Sequence, residues 1–524
     1  MADSVYCGNS YWNRHVNQKI FIIKLLQERN YFMGKRHSTF AMIILIIGVF
    51  MSALDNGIIA SALSTINYSF QVSEVQGTWG ITGYTLGMAI STPIIGKLAD
   101  KFGRRKLFLI EISIFALGSL LVALSPSFIF FLAARLIQSV GGGGIFIIAS
   151  SHVLSTYPKD KQGGLLGALG AVNGIASVVG PNLGSLILNM TGRWNWLFLI
   201  NLPIALFVII SGYLVIPETK ASSIKTIDFK GLVLLSLGIL SFMLAITNLQ
   251  SNALVGSLLR IQVWGLIGLG IILFIMFIRV EKRVSDQVDP FLPYQLLRSQ
   301  GFVLTLLMGI LSGALIGIFV FIPSFVEQRY GISADNSGIW MSGIGLGSVV
   351  GAAVGGSLTS KFGSTKTIVI SGSLSTVGFG LIAYLSPNPL WFILSSTIAG
   401  IGFGMLMGAP LSVLIAEVAS KKDNGVALGT LSVSRQVGIT IAPIIYATII
   451  QSGFSSIQMN TSIEQYYRGL QQMTGSNRHQ LLRAFYATAQ QAYQQMFWLA
   501  IIASMVLTMI GWYLMKRQHR LLNS

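Results

Sequence analysis

The sequence predicts an all-α polytopic membrane protein built from two related halves. Three observations predict it. Hydrophobic residues make up 53% of the 524 residues and charged residues only 10%, whereas a soluble domain of average composition carries roughly 25% charged residues. Apolar runs long enough to cross a bilayer recur along the chain, and short strings of residues return at a nearly constant offset.

A bilayer core of roughly 30 Å takes about 20 apolar residues per helix. Runs of that length predict fourteen spans, near 40–63, 78–96, 107–124, 129–152, 164–189, 195–216, 231–249, 261–278, 302–326, 337–359, 367–386, 391–416, 425–451 and 496–515. The run at 231–249 is the least regular, because Ser and Asn interrupt it. An even count puts both termini on one side, and the basic residues choose the side. With the N-terminus inside, inner segments hold 27 of the 35 Lys and Arg residues and outer segments hold 6. That is the positive-inside bias, so both termini are expected to be cytoplasmic. The net charge of +18 then faces anionic membrane lipids, and a nucleic-acid partner is excluded.

The repeat sets the domain organisation. Leu166-Gly167-Ala168-Leu169 returns as Leu428-Gly429-Thr430-Leu431, and Pro181 returns as Pro443, both 262 residues on. Leu124-Ser125-Pro126 returns as Leu385-Ser386-Pro387 after 261, and Lys101-Phe102-Gly103 as Lys361-Phe362-Gly363 after 260. Two parallel six-helix bundles with a site at their interface form a transporter architecture. The expected divisions are a cytoplasmic N-terminal extension at 1–38, an N-terminal bundle (spans 1–6) at 39–216, and a linker with inserted spans 7 and 8 at 217–300. A C-terminal bundle (spans 9–14) follows at 301–524, with a long outer loop at 452–493. In that loop, Gln480 to Gln495 reads as an amphipathic helix leading into span 14. Met33, just before Gly34-Lys35-Arg36, reads as an alternative start.

Cys7 is the only cysteine, which excludes an intramolecular disulfide. The five histidines are scattered without metal-ligand spacing. No metal or cofactor is expected, and the glycine strings at Gly343 and Gly400 lie inside apolar runs, where a dinucleotide loop has no place.

Polar residues inside spans carry the chemistry. Asp55 lies some fifteen residues into span 1, where an acid costs about 2.5–3.5 kcal/mol on insertion scales. Desolvation disfavours the charged carboxylate, which suits a group that takes up and releases a proton; the alternative is a permanent salt bridge. Glu111, Glu327 and Glu417 read as lying near span ends, leaving Asp55 as the acid far from any end. Arg135, at similar depth in span 4, stays charged and must pair with an acid or with carbonyls, and Gln138 one turn on offers polar contacts. Arg435 and Gln436 in span 13 are substrate-pathway candidates, serving either a ligand or facing carbonyls. On span 5, Gly174, Gly180, Pro181 and Gly184 read equally as close helix packing or as a pliable element sealing the pathway.

The turn from Gly96 to Lys106 reads as a conformational latch. Gly96 allows close packing at the end of span 2, and Gly103 can take a left-handed turn. Asp100 can pair with Arg104 or sit at a helix N-terminus, where the dipole favours an anion, and Arg105 extends the basic cluster.

These residues resemble the major facilitator superfamily, and more closely its fourteen-span drug:proton antiporter family. Gly96-x-Leu98-Ala99-Asp100-x-x-Gly103-Arg104-Arg105 is similar to the superfamily's loop 2–3 motif. Arg135-x-x-Gln138-Ser139-x-Gly141 is similar to the span 4 motif, with Ser139 where Gly is usual. Gly174-x5-Gly180-Pro181-x-x-Gly184-Ser185 is similar to the antiporter motif, with Ser185 in place of the last Gly. Leu54-Asp55 to Leu63 matches a span 1 motif, with Ser64 where Pro is common, and Trp194 to Pro203 resembles a segment typical of the group. In the second half, Ser360 replaces the acid of the loop motif. The resemblance implies Asp55 as the protonation site, Arg135 as its partner and Gly180-Pro181 as the mark of an exporter.

The expected function is proton-coupled export of drugs or other toxic amphipathic compounds across the plasma membrane, driven by the proton gradient. The expected partners are a small drug-like molecule, protons and membrane lipids. Scarce deep acids make dications the less fitting cargo. Export of one endogenous metabolite or lipid-like molecule is the alternative within transport, and a non-transporting membrane sensor the alternative outside it. No enzyme activity is expected, since there is no Cys–His or His–His pairing and no second deep carboxylate near Asp55 in sequence.

Overall fold

The computed structural model describes residues 39–523 outside the short stretches 56, 60–61, 64, 73, 78, 220–225, 250–253, 284–287, 333–339, 341, 420–422, 458–462 and 474–476. The expected N-terminal extension, with Cys7 and Met33, and the Ser64 position lie outside the described residues, as do the side chains of Pro181 and Ser185.

The long helices are α1 (Thr39–Ile59), α2 (Trp79–Phe102), α3 (Arg104–Ala123), α4 (Phe128–Thr156), α5 (Lys159–Thr191), α6 (Trp196–Val215), α7 (Phe229–Thr247) and α8 (Ile261–Arg283). They continue with α9 (Gln300–Tyr330), α10 (Ser342–Phe362), α11 (Ser364–Tyr384), α12 (Pro389–Val418), α13 (Asn424–Gly453) and α14 (Asn477–Asn523). Among the described residues, twelve helices are long and apolar enough to cross a membrane. The other two are α2 and α5, which at 24 and 33 residues have the length. Their sequences are richer in small and polar residues, because both lie where the two halves of the molecule meet. Within 452–493 a short helix, Ile463–Gln472, lies in the middle, and the helix expected at 480–495 is part of α14, which begins at Asn477 and runs unbroken for 47 residues.

The sequence repeat is visible in backbone geometry. Gly103 and Gly363 both take positive φ, 106° and 88°, a region glycine enters without the Cβ penalty. Each ends one helix and starts the next, at Arg104 and Ser364. Ser127 and Asn388, at corresponding positions, each accept a hydrogen bond from a backbone N–H three residues on, at Phe130 and Trp391. Such capping satisfies donors that the helix itself leaves open.

Within the first half, α3 packs on α4, α4 on α2 and α6 on α3; within the second, α10 packs on α12, α9 on α13 and α11 on α14. The halves meet along two seams, α2 against α13 and α5 against α10. Close approach at the first seam is a sequence property, because a Cβ at Gly96 would overlap the carbonyl oxygen of Gly425. The inserted helices α7 and α8 pair with each other, and α7 leans on α2. Their ends are tied by two short parallel strands, β1 (Thr226–Ile227) and β2 (Val288–Asp289). Between this pair, α2, α9 and α13 lies an almost wholly apolar cavity of about 500 Å³, lined by Pro93, Phe242, Phe277, Ile310, Thr430 and Ser434 among others.

Candidate functional site

Asp55, on α1, and Arg135, on α4, are each 1% exposed and form an ion pair, Arg135 Nη1 to Asp55 Oδ2, at 2.6 Å. Gln138 sits one turn along α4, so the same helix face presents its amide. Its Nε2 donates to Asp55 Oδ1 at 2.8 Å and to Ser119 Oγ at 2.8 Å, while its Oε1 accepts from Arg135 Nη1 at 2.6 Å. Asn201, at the start of the helical segment that follows Trp196–Leu199, donates from Nδ2 to Asp55 Oδ1 at 3.4 Å and to Ser119 Oγ at 3.3 Å. Arg135 Nε donates to the Gly80 carbonyl at 3.3 Å, and its guanidinium lies 4.0 Å from the centre of the Tyr84 ring. A buried charge needs a partner and satisfied hydrogen bonds, and this cluster gives Asp55 both.

The sequence singled out Asp55, Arg135 and Gln138, and the fold brings all three together. Asn201, Ser119 and Tyr84 were missed. Asn201 carried a signal, since it lies in the Trp194–Pro203 segment and is an amide inside an apolar run. Ser119 and Tyr84 carried none, because a hydroxyl on a membrane helix usually bonds its own backbone.

The second site is at the far end of α2. Arg104 Nη2 pairs with Asp100 Oδ1 at 2.6 Å, and Arg104 Nε donates to Ser151 Oγ at 2.7 Å. The other carboxylate oxygen, Asp100 Oδ2, accepts from the backbone N–H of Gly425 at 2.6 Å. Gly425 lies in the first turn of α13, where N–H groups lack helical partners and the dipole attracts an anion. Asp100 therefore joins the two halves, and both alternatives open to it from sequence occur together. Lys97 Nζ lies 3.7 Å from Asp423 Oδ1 across the same seam. Gly103 turns beneath Glu218, whose oxygens accept from the N–H groups of Arg105 and Lys106 at 3.1 Å each. Glu218, in the segment after α6, was also missed, since it lies 113 residues from Arg105.

The remaining candidates fall elsewhere. Gly180 faces α1, where a Cβ would lie 2.8 Å from the Gly57 Cα, and Gly174 faces Ser348 and Val349 of α10. Gly184 is buried, and α5 runs through Pro181 without interruption. Arg435 and Gln436 lie on α13, apart from the Asp55 cluster, and Arg435 Nε has no hydrogen-bond partner among the described residues. The expectation that Glu111 lies near a span end is corrected. The residue lies inside α3, is 0% exposed, and accepts at Oε2 from the backbone N–H of Gly144 at 3.1 Å.

The chain matches the Major Facilitator Superfamily over residues 45–443 and 304–522, and it belongs to that superfamily. It is 53% identical over 430 residues to the uncharacterised MFS-type transporter YfiU of Bacillus subtilis (strain 168), covering 81% of this chain and 82% of that protein. It is 30% identical over 435 residues to Multidrug resistance protein 3 of the same organism, with the same coverage of 81% and 82%. It is 28% identical over 386 residues to the Riboflavin transporter RibZ of Clostridioides difficile (strain 630), covering 73% of this chain and 82% of that one. Among solved structures, the proton:xylose symporter XylE matches with a TM-score of 0.61 at 14% identity, covering 91% of this chain and 96% of that one. At that identity the likeness shows a shared fold. The chain is a multi-pass membrane transporter.

Proposed function

We propose that the chain is a fourteen-span drug:proton antiporter of the plasma membrane, both termini cytoplasmic, exporting drugs or other toxic amphipathic compounds by alternating access. The observation that carries this reading is the buried Asp55–Arg135 pair with its amide and hydroxyl collar. An intramembrane acid marks a proton or ion pathway in the general case. A proton arriving from outside neutralises Asp55 and removes its attraction for Arg135. The guanidinium then falls back on Gln138 Oε1, the Gly80 carbonyl and the Tyr84 ring, which already hold it. The seam at Asp100 and Gly425 closes the two halves at the end carrying the basic loop. With that end cytoplasmic, the latch closes the inner side of the pathway.

Substrate enters from the membrane and is recognised by apolar surface more than by charge. The 500 Å³ cavity beside the seam supports this, because its lining offers only hydroxyls such as Thr430 and Ser434 among apolar side chains. The names of relatives such as Multidrug resistance protein 3 support the same class. The test uses everted vesicles energised by respiration, with ethidium as the probe. Ethidium must dissipate the proton gradient in vesicles carrying the protein, and Asp55→Asn must abolish the effect; an unchanged Asp55→Asn protein overturns the mechanism.

A second reading, transport of one endogenous metabolite, is favoured by the similarity to the riboflavin transporter. A deletion strain separates the two: altered drug susceptibility supports the first, and intracellular build-up of one metabolite without it supports the second.

A further inference from the structure

We propose that Glu111 is a second proton-binding carboxyl, placed between the Asp55 cluster and the Asp100 latch. The inference rests on the antiport reading and adds a site to it. Asp55 has a cation at 2.6 Å. Among the described residues Glu111 has none: its one hydrogen bond there is from the Gly144 N–H, and Oε1 is without a partner. A fully buried carboxylate without a countercharge is far costlier than the neutral acid. In this conformation Glu111 therefore holds a proton.

Its position connects the two sites already described. Ser119, in the Asp55 cluster, lies eight residues further along the same helix, and Arg104, in the latch, seven residues back. At 1.5 Å per residue these are separations of about 12 and 10 Å along α3. Along α4, Arg135, with Asp55 and the Tyr84 ring against it, lies nine residues to one side of Gly144. Toward the other are Lys97 and Asp100 on α2, Arg104 at the start of α3, and His152 on α4.

A moving part touches the site. Gly144 has no side chain, and the space over its Cα is filled by the Glu111 carboxyl and by Ile95 of α2. Ile95 is five residues before Asp100. When the latch opens and α2 shifts, Ile95 uncovers the carboxyl and water reaches it. Glu111 then releases its own proton to that side and takes one up again before α2 closes over it. The ligand of the site is a single proton, and its occupancy is set by whether α2 covers it.

The test is infrared difference spectroscopy on the purified, detergent-solubilised full chain near neutral pH. Wild type shows a carboxylic C=O stretch; Glu111→Gln removes it, Glu111→Asp shifts it, and Asp55→Asn leaves it in place. Absence of the band in wild type, or its persistence unmoved in both Glu111 variants, overturns the proposal. Glu111→Asp keeps the test valid if Glu111→Gln does not fold. In vesicles, Glu111→Gln lowers gradient-driven ethidium transport by at least about tenfold, and Glu111→Asp restores part of it. A rate equal to wild type in Glu111→Gln removes Glu111 from the proton route. Failure of the antiport reading looks different: wild type then shows no ethidium-linked proton flux while the infrared result stands.

Discussion

Arg135 and Asp55 bury opposite charges at 1% exposure each, so changing either leaves the other uncompensated. Removing one member of such a pair costs about 3–5 kcal/mol. Arg135→Ala is therefore expected to lower the thermal stability of the purified protein clearly, and the double change Arg135→Ala with Asp55→Asn to recover part of that loss. Asp55→Asn alone keeps the shape and the hydrogen bonds from Gln138 and Asn201 but removes the titrating group. Gradient-driven ethidium efflux should fall by about a hundredfold or more, measured in everted vesicles, while the protein remains folded by size-exclusion chromatography. Arg135→Lys keeps charge but loses the fork that reaches Asp55, Gln138 and Gly80 together, and should transport at an intermediate rate.

The seam between α2 and α13 is where helix chemistry becomes mechanics. Asp100 contributes a hydrogen bond to the first turn of α13 that exists only while the halves touch there. A hydrogen bond to a charged group is worth about 1.5–3 kcal/mol, which shifts a two-state ratio by about tenfold to a hundredfold. Asp100→Asn should open this end more often. The measurement is maleimide labelling of Ser360→Cys, a residue of α10 that faces Gly163 of α5 at the other seam, in a chain with Cys7→Ser. Labelling should rise severalfold over the Asp100 parent. Gly96→Val acts from the same helix by steric overlap with the Gly425 carbonyl, and should raise labelling as well while lowering transport.

At the scale of the whole molecule, two bundles and an inserted pair share one set of seams. The gradient has a definite sign in the proposed cycle. Protons move inward as drug moves outward, so an imposed pH gradient with an acidic lumen should drive ethidium into everted vesicles without ATP. Nigericin, which collapses the pH difference, should abolish that uptake, and uptake that survives nigericin counts against proton coupling.

The sequence alone determined that this is a multi-pass helical transporter, and it did so through local chemistry. Apolar run length, the scarcity of charge and the duplicated Gly103 and Gly363 turns are properties of neighbouring residues. It also marked Asp55 and Arg135, because a charge inside an apolar run stands out without any knowledge of its partner, and Asp100 as the lone acid of a basic turn. What only the tertiary structure decided is which groups meet. Asn201 comes to Asp55 across 146 positions, Gly425 to Asp100 across 325, and Glu218 to Arg105 across 113. The depth of Glu111 was decided there too, since the bend at Gly103 and the glycine face of α4, not its distance from the nearest charged residue, set how completely it is buried. Side-chain pairing between helices depends on which faces pack together, and that is settled by the close fit of small residues at the seams.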